Sequence, residues 1–297
     1  MLQLNTNGAE FIKRHIGPSA QDTEKMLAAI GIKSVDELIE KTIPTIIRSK
    51  KPMNIPEGLS EFEMLQSLKK IGEKNIVATN FIGQGYYGTI TPSVILRNIF
   101  ENPGWYTQYT PYQAEIAQGR LESLLNFQTM VCDLTRLPVA NASLLDEGTS
   151  AAEAMTLFFG VKNKKNKSVL ANRFLVSDRV FPQTISVLKT RAEPLGIDVV
   201  IMPFADFDLS ESTFGVLIQY PDSEGSVEDF SALTAEAKSK EIYVTVACDL
   251  LSLALLEAPG VWGADCAVGN AQRFGVPMGF GGPHAAYFAI SEEFKRL

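Results

Sequence analysis

The stretch Gly269-Asn270-Ala271-Gln272-Arg273-Phe274-Gly275-Val276-Pro277-Met278-Gly279-Phe280-Gly281-Gly282-Pro283-His284 governs how this chain is read. Gly275, Gly279, Gly281 and Gly282 let the backbone come close to a ligand or another chain, because glycine carries no Cβ. The stretch holds one arginine and one histidine but no lysine, and no lysine occurs anywhere between Lys240 and Lys295. A loop composed like a binding site therefore lacks an amine nucleophile.

Upstream of this loop, short β-rich runs alternate with helical ones. Strands are expected over 173–176, 198–202, 214–219 and 242–248, helices over 181–191 and 231–240, and another strand over 285–290. Such alternation predicts an α/β domain with a mainly parallel sheet and crossover helices. Sites in open α/β sheets gather at the carboxyl ends of the strands. In that setting the glycine-rich stretch reads like the cofactor loop of a pyridoxal-phosphate (PLP) enzyme, where a lysine holds the aldehyde as a Schiff base. Gln272 or Arg273 stands in the lysine's place. A guanidinium stays protonated and forms no imine. Arg273 can bind a phosphate or carboxylate, or pair with an acidic residue of the chain itself.

Two further segments fit such a site. Asp249 ends the strand over 242–248 and suits the protonated ring nitrogen of PLP, or equally the cap of a helix starting at Leu250. Gly148, Thr149 and Ser150 open a helix and offer N–H groups, hydroxyls and a positive dipole end to a phosphate. Their spacing matches neither Gly-x-Gly-x-x-Gly nor the Walker pattern, and on the residues alone Ser/Thr capping is the simpler account. His284, after Gly-Gly-Pro, suits a general acid or base, or a structural role.

The first quarter reads as short helices. One covers 21–30 and is stopped by Gly31. Capping boxes at Ser34–Glu37 and Ser60–Glu63 open two more, the second with Phe62, Leu65, Leu68 and Ile71 at helical spacing. Residues 80–112 then turn rich in Gly, Tyr, Thr and Pro, and Tyr86, Tyr87, Tyr106, Tyr109 and Tyr112 can line a site or build a subunit interface. A long apolar helix is expected over 114–134.

Composition narrows the classes. At 297 residues the chain can bury a large core. Its 45% hydrophobic and 21% charged residues are those of a soluble globular protein. A net charge of −7 speaks against nucleic acid, which wants a basic face. The basic run Lys162 to Lys167 reads as a solvated loop between helix and strand. Cys132, Cys248 and Cys266 are odd in number and widely spaced, so no disulfide framework is expected, and with His15 and His284 alone a zinc site is not expected either. No apolar run reaches the ~18–20 residues that span a bilayer. Residues 1–10 have no apolar stretch after a basic region, so no secretory signal is expected there, and a cytoplasmic, reducing setting is expected.

Taken together, several runs resemble the P-protein family of the glycine cleavage system, glycine dehydrogenase (decarboxylating). They are residues 11–18, 81–88, 109–119 (Tyr-Thr-Pro-Tyr-Gln-Ala-Glu-Ile-Ala-Gln-Gly), 146–155 and 272–284. The resemblance covers the chain from about Phe11 onward and is closest to the N-terminal half of a long P-protein, or to the first of two subunits. It implies a PLP-dependent aminotransferase-like (fold type I) domain over 76–297, preceded by a helical arm over 1–75 and lacking its C-terminal small domain. It implies that PLP is held by a lysine of the second half only. The reaction implied decarboxylates glycine and passes the aminomethyl group to the lipoyl arm of H-protein. The second half or subunit, lipoylated H-protein and glycine are thus the expected partners. On this reading Tyr86, Tyr87, Thr110 and Tyr112 border the partner's active site. Gly148, Thr149, Ser150, Asp249, Gln272, Arg273 and His284 mark a vestigial pocket, with no catalytic residue and no metal in this half. The alternative is a purely structural oligomerisation subunit. An independent PLP enzyme using Lys240 or the run at 162–167 is the third reading.

Overall fold

The computed structural model describes residues 17–49, 51–107, 110–165, 170–279 and 284–296. The chain divides into two compact units, Met1–Thr79 and Asn80–Leu297. In the first, α1 (Ala20–Ala29), α2 (Val35–Thr42) and α3 (Glu61–Gly72) are short amphipathic helices with no buried residue. Their starts follow from side chains that satisfy orphan N–H groups. Ser60 and Glu63 form the expected reciprocal box on α3. Ser19 and Asp22 form one on α1 that the sequence reading did not single out. At α2, Ser34 caps Glu37, but the Glu37 carboxylate reaches one residue further and accepts from the Lys33 N–H at 2.9 Å.

The second unit is built on a seven-stranded sheet, ordered β1-β7-β6-β5-β4-β2-β3. Its strands are β1 (Val139–Ala140), β2 (Arg173–Ser177), β3 (Asp198–Met202), β4 (Thr213–Tyr220), β5 (Tyr243–Cys248), β6 (Cys266–Asn270) and β7 (Ala286–Ile290). From β3 across to β6 all neighbours are parallel, with Val216 opposite Val244 and Val246 opposite Ala267. β7 runs antiparallel to β6, and β1 antiparallel to β7. The mainly parallel α/β class expected from the sequence is the one observed. β6 was not anticipated, since its run Cys-Ala-Val-Gly-Asn is short and made largely of small residues.

The helices α4 (Gln118–Thr135), α5 (Glu147–Lys165), α6 (Pro182–Ala192) and α7 (Ser231–Ser239) accompany the sheet. The single helix expected over 114–134 is broken. A 3-10 turn covers Ala114–Ile116, and Ala117 leaves the helical region at φ −122° before α4 begins. The basic run is also partly misplaced. α5 extends to Lys165, and Lys162 is buried with its Nζ donating to the Glu241 carbonyl at 2.9 Å.

Both faces of the sheet are covered, because alternate strand residues point to opposite sides. Phe174, Val176, Leu217 and Val268 join Met155, Phe158 and Leu188 in one core. Leu175, Val216, Ile218, Val246 and Tyr287 join Val131 and Ala237 in the other. β4 is buried over its whole length. This rigid slab fixes the strand ends where the candidate site lies. Among the described residues no helix is long and apolar enough to cross a membrane.

Candidate functional site at the carboxyl ends of the strands

Asp249 follows the last residue of β5, and Arg273 lies in the 3-10 turn Gln272–Phe274 just after β6. Parallel neighbours bring these two ends together. The Arg273 Nε donates to Asp249 Oδ1 at 3.0 Å, and Nη2 donates to Oδ2 at 2.9 Å. This two-pronged geometry is the strong form of an arginine–carboxylate pair. The same carboxylate accepts from the Leu251 N–H at 3.1 Å, a local turn contact, while the 3-10 turn Ser252–Ala254 that follows has no side-chain cap, so the alternative role of helix cap is not the one observed. Tyr87 closes the stack, with the Arg273 guanidinium carbon 3.8 Å from its ring centroid. Burial is the main reason the Tyr87 phenol titrates above its usual range.

Gln272 is 1% exposed, and its amide nitrogen and oxygen have no hydrogen-bond partner among the described residues. The helix start at 146–150 is satisfied from within. Asp146 Oδ1 accepts from the Thr149 N–H at 2.6 Å, and Ser150 Oγ donates to the Asp146 carbonyl at 3.0 Å. Gly148 packs tightly against α6: a Cβ there would sit 3.0 Å from Val187 Cγ2 and 3.4 Å from the Thr184 backbone. It therefore lets α5 and α6 approach closely.

Glu147 was not singled out from the sequence, where it looks like an ordinary first-turn acid. In the fold its carboxylate is desolvated and titrates at about 7, and the nearby Asp249 and Asp146 charges add to that rise. Thr184 Oγ1 donates to it at 3.2 Å and opposes the shift. Beside it opens a cavity of about 430 Å³, whose lining includes Gln84, Tyr86, Asp146, Glu147, Asn270 and His284. His284 meets the Tyr86 ring edge-on at 4.6 Å, and burial lowers its imidazole pKa.

The fold thus gathers Tyr86, Tyr87, Gly148, Asp249, Arg273 and His284 at one end of the sheet. Thr110 and Tyr112 are not among the residues lining that cavity. The Tyr112 N–H donates to the Thr110 carbonyl at 2.8 Å, and Tyr112 is 80% exposed. Gly281, Gly282, Tyr109 and His15 lie outside the described residues.

A family model described as "Glycine cleavage system P-protein" matches residues 13–297. The chain belongs to that family. It is 57% identical over 289 residues to the glycine dehydrogenase (decarboxylating) of Nostoc punctiforme, covering 97% of this chain and 29% of the relative. To that of Thermosynechococcus vestitus it is 58% identical over 296 residues, covering 99% and 30%. The chain therefore spans about 30% of the length of the curated relatives it matches. A crystal structure of glycine decarboxylase (P-protein), in inhibitor-bound form, superimposes with a TM-score of 0.85 at 31% identity. That match covers 95% of this chain and 64% of the other. A sphingosine-1-phosphate lyase of Burkholderia pseudomallei shares the fold, with a TM-score of 0.58 at 15% identity over 83% of this chain and 62% of its own. The fold is that of the PLP-dependent type I enzymes, as the sequence reading expected.

The fold family implies PLP, and the residues of this chain do not fit it. A seat for that cofactor needs a free carboxylate for the ring nitrogen, an open helix start for the phosphate and an amine for the aldehyde. Asp249 is taken by Arg273, and the start of α5 is capped by Asp146 with Glu147 beside it. The Asp146 carboxylate, already bonded to the Thr149 N–H, repels a phosphate at that helix N-terminus. For the aldehyde, no lysine lies between Lys240 and Lys295.

Proposed function

We propose that this chain is the N-terminal half of a glycine dehydrogenase (decarboxylating), and that it supports a reacting centre held by the other half. The observation that supports this reading is the pair Arg273–Asp249, which leaves the strand-end carboxylate engaged by an arginine in a chain of the P-protein family. The complete protein would decarboxylate glycine on PLP bound to a lysine of the second half. It would then pass the aminomethyl group to the lipoyl arm of H-protein. This chain alone would be inactive.

The loops over 81–88 and 110–112 are its contribution. Tyr86, Tyr87, Thr110 and Tyr112 would border the partner's site, and Gly148, Thr149, Ser150, Asp249, Gln272, Arg273 and His284 would be the remnant of a second one. Exposed Phe81, Ile82, Tyr112 and Ile116 suit a surface that another chain covers. The free thiols Cys132, Cys248 and Cys266 suit a reducing, cytoplasmic setting.

The test uses the protein assembled with its lysine-bearing half. Tyr87→Phe and Tyr112→Phe should each slow glycine-driven exchange of carbon dioxide by about tenfold, the scale of one lost hydrogen bond in a dry site. Full exchange rates in both variants would defeat the site-bordering role. If only the assembly constant moved, the chain would be a structural subunit.

A further inference from the structure

We infer that Arg273 is a built-in occupant of the ring seat, a positioning residue whose guanidinium orders the Tyr87 loop in the way a bound ring otherwise would. A guanidinium and a protonated pyridine are both flat cations. Each presents N–H to a carboxylate in its plane and a π face to a stacking partner. Arg273 meets both demands at once, with Asp249 at 2.9 and 3.0 Å in its plane and Tyr87 at 3.8 Å on its face. A lysine at this position would keep the charge and lose both the fork and the plane.

The consequence lies in the loop over 83–92. It has little regular structure of its own: Gly83 and Gly85 have positive φ, as does Gln84 at 55°. It is held by contacts to the segment that carries Arg273. Asn270 Nδ2 donates to the Gly85 carbonyl at 3.3 Å. Thr89 Oγ1 donates to the Val276 carbonyl at 2.8 Å, and Thr91 Oγ1 to that of Gly275 at 2.5 Å. Gln183 Nε2 adds a bond to the Gln84 carbonyl at 2.8 Å. Tyr87 stands between the ties at Gly85 and Thr89, and the guanidinium supports its ring there. The charged pair anchors the stack to the end of β5, which belongs to the rigid sheet. Single neutral hydrogen bonds from a solvent-facing loop hold weakly, whereas a two-pronged ion pair carrying a ring is stiff. The inference concerns this chain alone and does not depend on which partner covers the loop.

Native-state hydrogen exchange of the full chain tests it, read by mass spectrometry on peptides covering 83–92. Arg273→Ala should lower protection there by about tenfold or more while the β4 and β5 peptides keep theirs. Guanidinium chloride at about 20 mM, far below its denaturing range, should restore part of that protection. Equal sodium chloride or urea should not. Arg273→Lys should fall between wild type and the alanine variant. Tyr87→Leu leaves the ion pair in place and should open the same peptides, which keeps the test alive if Arg273→Ala does not fold. Unchanged protection over 83–92 in Tyr87→Leu or in folded Arg273→Ala would overturn the inference. So would rescue by sodium chloride equal to that by guanidinium.

Discussion

Glu147 lies at the first position of α5, its carboxylate accepting from Thr184 and facing the charges of Asp146 and Asp249. Burial lifts it from 4.5 to about 7. Between those values the folded chain keeps a proton that the unfolded chain has lost. The associated stability is complete below about 4.5 and fades as the pH rises through about 7. At face value the loss is at most about 3.5 kcal/mol, one pKa unit being worth about 1.4. Asp265 is raised to about 6, again by burial, so the raw curve mixes two groups. The difference between wild type and Glu147→Gln isolates one. Urea unfolding at pH 5, 6, 7 and 8 should show the glutamine variant gaining on wild type as the pH rises, most steeply between 5 and 6 and levelling off above about 7. A flat difference would mean that the carboxylate is hydrated in solution. Sequence alone offered Arg273 three roles, phosphate, carboxylate or an internal acid, and spacing could not choose among them. The choice comes from the adjacent ends of β5 and β6. Glu147 was invisible for a similar reason, since Phe181, Thr184 and Asn270, which line the same cavity, are far from it in sequence.

Helix α5 depends on its cap. The Asp146 side chain satisfies the Thr149 N–H at 2.6 Å, and its carbonyl starts the helical ladder at Ser150. Asp146→Ala should cost about 1 kcal/mol, with Asp146→Asn recovering most of it, because asparagine caps as well as aspartate. The comparison belongs at pH 5, where Glu147 is protonated. At higher pH the alanine variant also removes a charge that Glu147 opposes, and the two effects partly cancel. A shift in the urea midpoint for alanine equal to that for asparagine would assign the cost to packing. Elements with local signals were legible in this way: Ser34 and Ser60 announced α2 and α3, and β-rich runs announced β2 to β5. Elements set by distant neighbours were not. The apolar pattern over 114–134 runs on through Ala117, where the backbone turns away. β6 carries little strand signal of its own, and its place is fixed by β5 on one side and β7 on the other.

At the scale of the molecule, alternating strands and helices foretold a parallel sheet but not its order. The reversal at β7 has a physical reason. A parallel neighbour needs a crossover, usually a helix, and 271–285 shows only the turn Gln272–Phe274 among its described residues, so the chain returns antiparallel. The candidate site draws on segments near residues 85, 147, 249 and 273. Only the glycine-rich stretch and the resemblance of several runs to one family made it legible beforehand. The same scale exposes what one chain leaves open. Phe81 and Ile90 are each 90% exposed, and Tyr112, Ile116 and Leu125 are exposed as well. Apolar surface of this extent is a liability in a free monomer and a resource at an interface. The isolated chain should therefore bind a hydrophobic dye such as anilinonaphthalene sulfonate. Mixing with the second half that we propose as its partner should quench that signal and yield a single faster-sedimenting complex. Phe81→Asp and Ile90→Asp place a charge where burial is expected, and together they should weaken the complex at least tenfold, about 1.4 kcal/mol, without altering the far-ultraviolet spectrum. A dissociation constant that ignores both charges would put the interface on another face of the chain.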